Sequence, residues 1–449
     1  MKNYNVKDDI LFTNFIRSKP KLSASSIENY TFALNKFAKS ANEPLQTIIN
    51  NCKSQQDKVI EKIKTTTTDD EGNTIIEKEI IKFDVNNPDS YINIYINNHI
   101  NYCKNKGNKN ITINHDLNFI TVFLSYYNVE LPRMDKLQKD AEKWNLLTKE
   151  DIKYVMSDST ITHQSLISAL KSSGIRLKDA VDLKIIDFMQ GTEEYHNYTD
   201  VNEFIDNAPS DMICTLQFVP HKTQRFNLEC ITFFDQETCN LILQNLRRIK
   251  NEYLPRVNKQ YDMDISLSKE DALFGNQRNY FKGHISTHNL SDLFNKKNKK
   301  LKEHRINIIN EKIKNGELSE EDFEREIAKI PKFHAHGCRK FFTSTIAKNC
   351  GNLRICAIME GHTSPLRTDS SYIDIDVEEI KEAYMAAIPD LSLENTEVKV
   401  YTSEVRKQME EKISNLEKEN EKLKEDISEI DKLKDVVNNI QEWMGDLDI

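Results

Sequence analysis

Residues 212–234 read MICTLQFVPHKTQRFNLECITFF. Two runs rich in β-branched and aromatic residues, MICTLQFV (212–219) and FNLECITFF (226–234), flank the turn-forming PHKTQR (220–225), which is the pattern of an antiparallel hairpin. Just upstream, HQSLISALKSSG (163–174) carries apolar residues at helical spacing, and a second short helix is expected after Arg176. A hairpin set among helices predicts a mainly α domain with a small antiparallel β-sheet.

Further upstream, Pro132 and a run of alternating charge in LPRMDKLQKDAEKWN (131–145) mark a boundary. Residues 1–145 therefore form one predicted domain and 146–392 a second. The first is expected to be helical: SASSIENYTFALNKFAKSA (23–41) places Ile27, Tyr30, Leu34, Phe37 and Ala38 on one face behind Ser23 or Ser25 as cap, and similar patterns recur at 90–107 and 113–131. TTTTDDEGNTIIEKEIIKF (65–83) is polar and β-branched, a small hairpin or a loop insertion. Downstream, residues 296–328 open with Lys296, Lys297, Lys299, Lys300, Lys302 and Arg305, which suit a solvated helical insertion or a nucleic-acid backbone contact equally well. In the tail, Ile413, Leu416, Asn420, Leu423, Ile427, Ile430 and Val437 alternate three and four apart, predicting a self-associating coiled coil over 401–445.

The 449 residues carry 62 basic and 71 acidic side chains, a net charge of −9. Distribution matters more than the total. Residues 401–449 hold 14 acidic and 8 basic groups, so the other 400 residues carry only −3 and leave room for a local basic face. No stretch offers the roughly 20 apolar residues of a membrane span, and MKNYNVKDDILF at the start lacks a signal peptide's apolar core. A cytoplasmic protein without membrane contact is expected. The eight cysteines are scattered with no C-x-x-C pair, so neither a disulfide framework nor a zinc framework is predicted. His334, His336 and Cys338 are ligand types, but no second pair stands at a usual spacing.

Three segments carry chemistry. KSSGIRLKDAVDL (171–183) sets Arg176 after a glycine at a helix end, with Asp179 a turn later. HAHGCRKFFT (334–343) places His336 and Arg339 three apart, on one face of a helix. EGHTSPLRTDSSYI (360–373) supplies His362 and Tyr372. Together they offer cations for a phosphate, proton carriers and a nucleophile.

These segments, in this order, resemble the boxes of the tyrosine recombinase (phage integrase) family: an Arg in G-[LI]-R-x-x-[DE], then H-x-x-R, then G-H, then a Tyr. The resemblance covers roughly residues 146–390. It implies that Arg176 and Arg339 hold the scissile phosphate, that His336 assists proton transfer, that His362 hydrogen-bonds the phosphate, and that Tyr372 attacks to form a 3′-phosphotyrosine. It also implies a lysine general acid on a hairpin turn, assigned to Lys222 with His221 and Arg225 as competitors, and a supporting role for Asp179. No cofactor and no metal are called for. The implied architecture is a helical core-binding domain and a mixed catalytic domain that bind double-stranded DNA at specific attachment sites, working as a tetramer on two sites to integrate or excise a mobile element or viral genome. A C-terminal segment would dock on a neighbouring protomer, and DVEEIKEAYMAAI (376–388) is the candidate. The sequence departs from the pattern at Cys338, where Leu is usual, at Lys340, where His is common, and in the 160-residue separation of Arg176 from His336. A type IB topoisomerase or telomere resolvase uses similar chemistry. The reading from another class is a DNA-binding or assembly protein that keeps the fold without turnover.

Overall fold

The computed structural model describes residues 4–68, 74–138, 145–275, 283–362 and 376–393, with Lys422; for 59–68, 74–82 and Arg225 it describes the backbone alone. Tyr372 and the predicted coiled coil at 401–445 lie outside the described residues. The chain divides into two compact units, Met1–Lys143 and Trp144–Ile449.

The first unit consists of α1 (Ile10–Arg17), α2 (Ala24–Ala41), α3 (Leu45–Gln56), strands β1 (Val59–Thr68) and β2 (Thr74–Lys82), α4 (Tyr91–Asn105) and α5 (Asn110–Tyr126). Ser23, rather than Ser25, caps α2 by accepting from the Ser26 amide, and Asn42 ends it in the left-handed region at φ 56°. The helical face read from the sequence goes inward: Tyr30, Leu34, Phe37 and Ala38 are buried and meet Phe15, Ile96, Ile120 and Phe123 in one core. Phe15 lies edge-on to Tyr30 and Phe123, with ring centroids 5.0 and 5.3 Å apart. The polar segment between α3 and α4 is a hairpin, paired from Val59↔Lys82 to Thr68↔Thr74. Its first arm starts six residues before the predicted stretch, because the alternation in VIEKIK extends the pairing back to the end of α3.

In the second unit α6 (Lys149–Ser157), α7 (Ile161–Ser173), α8 (Leu177–Asp182), α9 (Ile185–Gly191) and α10 (Val201–Asn207) lead to β3 (Cys214–Phe218) and β4 (Cys230–Phe234). Then follow α11 (Gln236–Arg248), α12 (Leu254–Tyr261), α13 (Thr287–Lys314), α14 (Phe323–Ile327), α15 (Ala335–Cys350), α16 (Leu353–Met359) and α17 (Val377–Leu391). The hairpin pairs Cys214 with Phe234 and Phe218 with Cys230. Its strands are shorter than the sequence runs: Gln224–Phe226 form a 3-10 turn and Asn227 takes φ 49°, which removes 226–229 from pairing. All five β4 residues are buried, since α7, α16 and α17 pack on it. Leu170, Phe188, Phe233, Leu243 and Phe342 lie at the centre of this core, and each fully buried side chain of this size contributes roughly 1.5–3 kcal/mol.

One expectation is corrected here and one open alternative narrowed. The helix assigned to a neighbouring protomer, α17, packs on its own unit, with Ile380, Tyr384, Ala387, Ile388 and Leu391 buried; its apolar face is already covered by α15 and β4. Three of the six basic residues of the α13 cluster are engaged in folding. Lys297 is buried against Asp158, Lys300 pairs with the same carboxylate at 2.7 Å, and Arg305 pairs with the buried Asp151. The helix thereby docks on α6, which favours the structural reading of that charge run.

Candidate active site

Two helix ends build the site. α7 stops at Gly174, whose φ of 62° suits a residue without a side chain; a Cβ there would stand 2.3 Å from the Phe342 ring. The turn releases Arg176 as the cap of α8. α16 ends in a paired C-terminal motif, with the Gly361 amide donating to Ile358 and the His362 amide to Ala357, both at 2.9 Å, and Gly361 at φ 58°. A Cβ on Gly361 would lie 2.6 Å from Pro220, so His362 is carried out of the helix directly beside the hairpin loop.

α15 brings Arg339 between these two ends. It begins at His334, whose Nδ1 accepts from the Gly337 amide at 2.6 Å. Arg339 is buried; it donates to the Gly174 carbonyl at 2.7 Å and to the Glu360 carbonyl. Its Nη2 also lies 3.2 Å from Nε2 of His362. Arg176 is half-buried and donates to the Gly361 carbonyl at 3.5 Å. Burial and the nearby Arg176 charge both pull the Arg339 guanidinium below its usual range, the signature of two like charges held together. Such a pair is stabilised by an anion placed between them.

The other predicted residues stand as follows. His336 is exposed one turn before Arg339; burial of part of its ring, then the charges of Lys340, His334 and Arg339, lower its pKa. Lys222 is exposed in the loop joining β3 to β4. That loop is tied down where the His221 amide donates to Asp179 at 2.9 Å, and the first residue of β4 is held by its Cys230 thiol facing the Met359 carbonyl at 3.2 Å. Asp179, buried a turn after Arg176, thus anchors the Lys222 loop to the Arg176 helix. The His221 ring is drawn toward Asp182, 2.6 Å from Nε2 to Oδ2. Arg339 contacts His362 directly, and Arg176 reaches the same turn through the Gly361 carbonyl; His336 lies within reach of the Arg339 charge, and neither it nor Lys222 hydrogen-bonds the three among the described residues. Nothing is described of Tyr372.

Sequence reasoning passed over Glu360. Its carboxylate is nearly buried, bonds Thr343, and stands 2.8 Å from Nδ1 of His362. The available signal was an acidic residue closing the otherwise apolar end of α16, against the helix dipole.

His334, His336 and Cys338 do not gather as metal ligands: His334 is engaged as a cap, and Cys338 is fully buried, its thiol pushed up to about 12. Among the described residues one group of ligand type does converge, the buried His99, Cys103 and Asp116 of the first unit. Lys36 pairs with Asp116 at 2.8 Å, and burial holds the His99 pKa down at about 4, so the ring is neutral near pH 7 and the cluster is charge-balanced without an ion. No helix among the described residues is long and apolar enough to cross a membrane.

No family model matches the chain, and no curated protein matches it. Among solved structures, the chain is similar to the Tn1549 transposon integrase (residues 82–397) in complex with circular intermediate DNA, with 14% identity and TM-score 0.38 over 85% of this chain and 99% of that one. It is also similar to the XerH site-specific recombinase bound to a palindromic difH substrate, with 15% identity and TM-score 0.36 over 65% of this chain and 68% of that one. A third is the integrase from mycobacterium phage Brujita, with 12% identity and TM-score 0.28 over 88% of this chain and 94% of that one.

Proposed function

We propose that the chain is a site-specific DNA recombinase that cleaves and rejoins strands through a 3′-phosphotyrosine. The observation that carries this reading is the convergence of Arg176, Arg339 and His362, three residues from separate segments, on the turns that end α7 and α16. Two guanidiniums and an imidazole at one place suit the nonbridging oxygens of a phosphodiester.

In this mechanism the Tyr372 hydroxyl loses its proton and its oxygen attacks phosphorus. The bond to the 5′-oxygen breaks, and Lys222 supplies the proton to the leaving 5′-hydroxyl, while Arg176, Arg339 and His362 stabilise the pentacovalent phosphate and His336 assists proton transfer. A 5′-hydroxyl of the partner strand later attacks the phosphotyrosine and releases the tyrosine. One phosphoester replaces another at each step, so no external energy source enters. In the same proposal residues 1–145 bind DNA, residues 146–392 catalyse, four protomers act on two sites, and 401–445 self-associate. The biological role is integration or excision of a mobile element or virus.

The test is a nicked suicide substrate from the element's attachment region, incubated with wild type and Tyr372→Phe and run on a denaturing gel. A covalent protein–DNA band for wild type alone is the expected result. Binding without any band would favour the assembly-protein reading, and a band from both proteins would move the nucleophile away from Tyr372.

A further inference from the structure

Glu360 occupies a costly position. It closes α16, where the helix dipole disfavours negative charge, it is nearly buried, and its backbone and side chain border Arg339, one of the two arginines proposed to receive an anion. A buried carboxylate here weakens anion binding unless it does something for a neighbour. Its two oxygens have defined partners: Oε1 accepts from the Thr343 hydroxyl and Oε2 faces Nδ1 of His362 at 2.8 Å. Burial raises the Glu360 pKa, but the hydrogen bonds from His362 and Thr343 and the Arg339 charge outweigh it and leave the group below its usual range. It is an ionised acceptor.

The far side of the ring completes the argument. Nε2 of His362 lies 3.2 Å from Nη2 of Arg339. A guanidinium only donates, so in the neutral ring Nε2 must be the acceptor and Nδ1 must carry the proton. We propose that Glu360 is a positioning residue for His362: its carboxylate takes the Nδ1–H, fixes the ring's orientation, and stabilises the second proton that Nε2 takes up to donate to a phosphate oxygen when the anion replaces its contact with Arg339. Thr343, one turn after Arg339 on α15, holds the carboxylate in turn, so the arginine and its histidine are set by a single helix face. The Nδ1–H form is the less common tautomer of a free imidazole, and the carboxylate and Arg339 together select it. This inference rests on the reading of the site as one that grips a phosphodiester, but the ring's proton is measurable without any DNA.

The test uses the full-length protein labelled with 15N-histidine, with the His362 signals assigned through His362→Gln. Two-bond proton–nitrogen correlations at pH 8 are expected to show Nδ1 protonated and Nε2 bare in wild type; the opposite pattern overturns the proposal without any variant. In Glu360→Leu, where only the Arg339 contact still favours Nδ1–H, the Nε2–H form is expected to appear beside it, with suicide-substrate cleavage falling about 10- to 100-fold, as when the outer partner of a metal-bound imidazole is removed. Glu360→Gln, which keeps an acceptor, is expected to keep the wild-type tautomer and to lose less. Combined with His362→Ala, Glu360→Leu should add nothing further to the cleavage defect. A full additional loss in that background would show that Glu360 acts on the fold and not through His362. Should wild type cleave no DNA, the function falls while the spectrum still decides the role of Glu360.

Discussion

Lys171 and Arg176 are five residues apart in one segment, and the structure treats their charges in opposite ways. Lys171 is completely buried and spends its ammonium on Asp235 at 2.9 Å, Glu237 at 3.0 Å and the Leu391 carbonyl at 3.0 Å. All three of its donors have acceptors. Arg176, beyond the Gly174 turn, is half-buried and shows one contact, at 3.5 Å, among the described residues. The first charge is consumed in joining α7, α11 and the end of α17; the second is positioned with donors to spare. A part-buried guanidinium with donors that have no partner among the described residues suits the anion that the proposed function assigns to it.

The largest effect should come from the spent charge. Lys171→Met keeps the volume but strands Asp235, which is 1% exposed, and Glu237 without their cation. Breaking a buried pair from one side costs about 3–5 kcal/mol, to be read as a fall in the denaturant midpoint of the second unit. Glu237 also accepts from the Leu393 amide at 2.9 Å, so the segment after α17 should become the first site of proteolysis. Retained stability would mean that the triad is not what holds α17 in place.

Arg176→Ala should reverse the pattern. Its stability is expected within about 1 kcal/mol of wild type, while cleavage of the suicide substrate falls about 10²- to 10³-fold, as when one preorganised donor to a transition-state oxyanion is lost. Binding to intact duplex should change far less. An Arg176→Ala protein that unfolds as readily as Lys171→Met would erase the division between spent and reserved charge.

The sequence made Arg176 visible as the residue beyond a helix-ending glycine and His362 through its G-H box, and the structure shows that both glycines end helices. Gly174 and Gly361 announce left-handed turns, and Arg176 and His362 stand one or two residues beyond them. Partnerships across long separations left no such mark. Nothing local in the basic run of α13 tells that Lys297 and Lys300 answer Asp158, some 140 residues earlier, so that run is equally compatible with a DNA contact when read alone. The pattern in DVEEIKEAYMAAI likewise reports an apolar face but not what covers it, and its own unit does. Glu360 was hidden differently: beside a Gly-His pair it reads as a flanking letter, and only the Nδ1 distance gives it a task. The second strand beside Lys222 was overextended by four residues at 226–229 because β-branched and aromatic content does not register a backbone turn such as that at Asn227.

The first unit supplies a third way of handling charge, and the smallest of the three effects. His99 is fully buried beside Cys103, 3.6 Å from Nε2 to Sγ, and Asp116, 3.9 Å away, with Lys36 on the same carboxylate. Burial dominates and lowers the ring's pKa to about 4 from an ordinary 6.5. A histidine that binds its proton less readily when folded contributes stability at high pH, and that contribution is lost as pH falls from about 6.5 toward 4, where the unfolded chain takes up a proton that the folded one refuses. Between pH 7.5 and 5 the loss is about 2 kcal/mol for one such group. Urea unfolding of the full chain, followed by hydrogen exchange in α4 and α5, should show it in the first unit, and His99→Gln should flatten the dependence while lowering stability at pH 7.5. A cluster that instead gained stability on acidification would hold His99 as a cation paired to Asp116, and the first unit would then use its buried charge as Lys171 does.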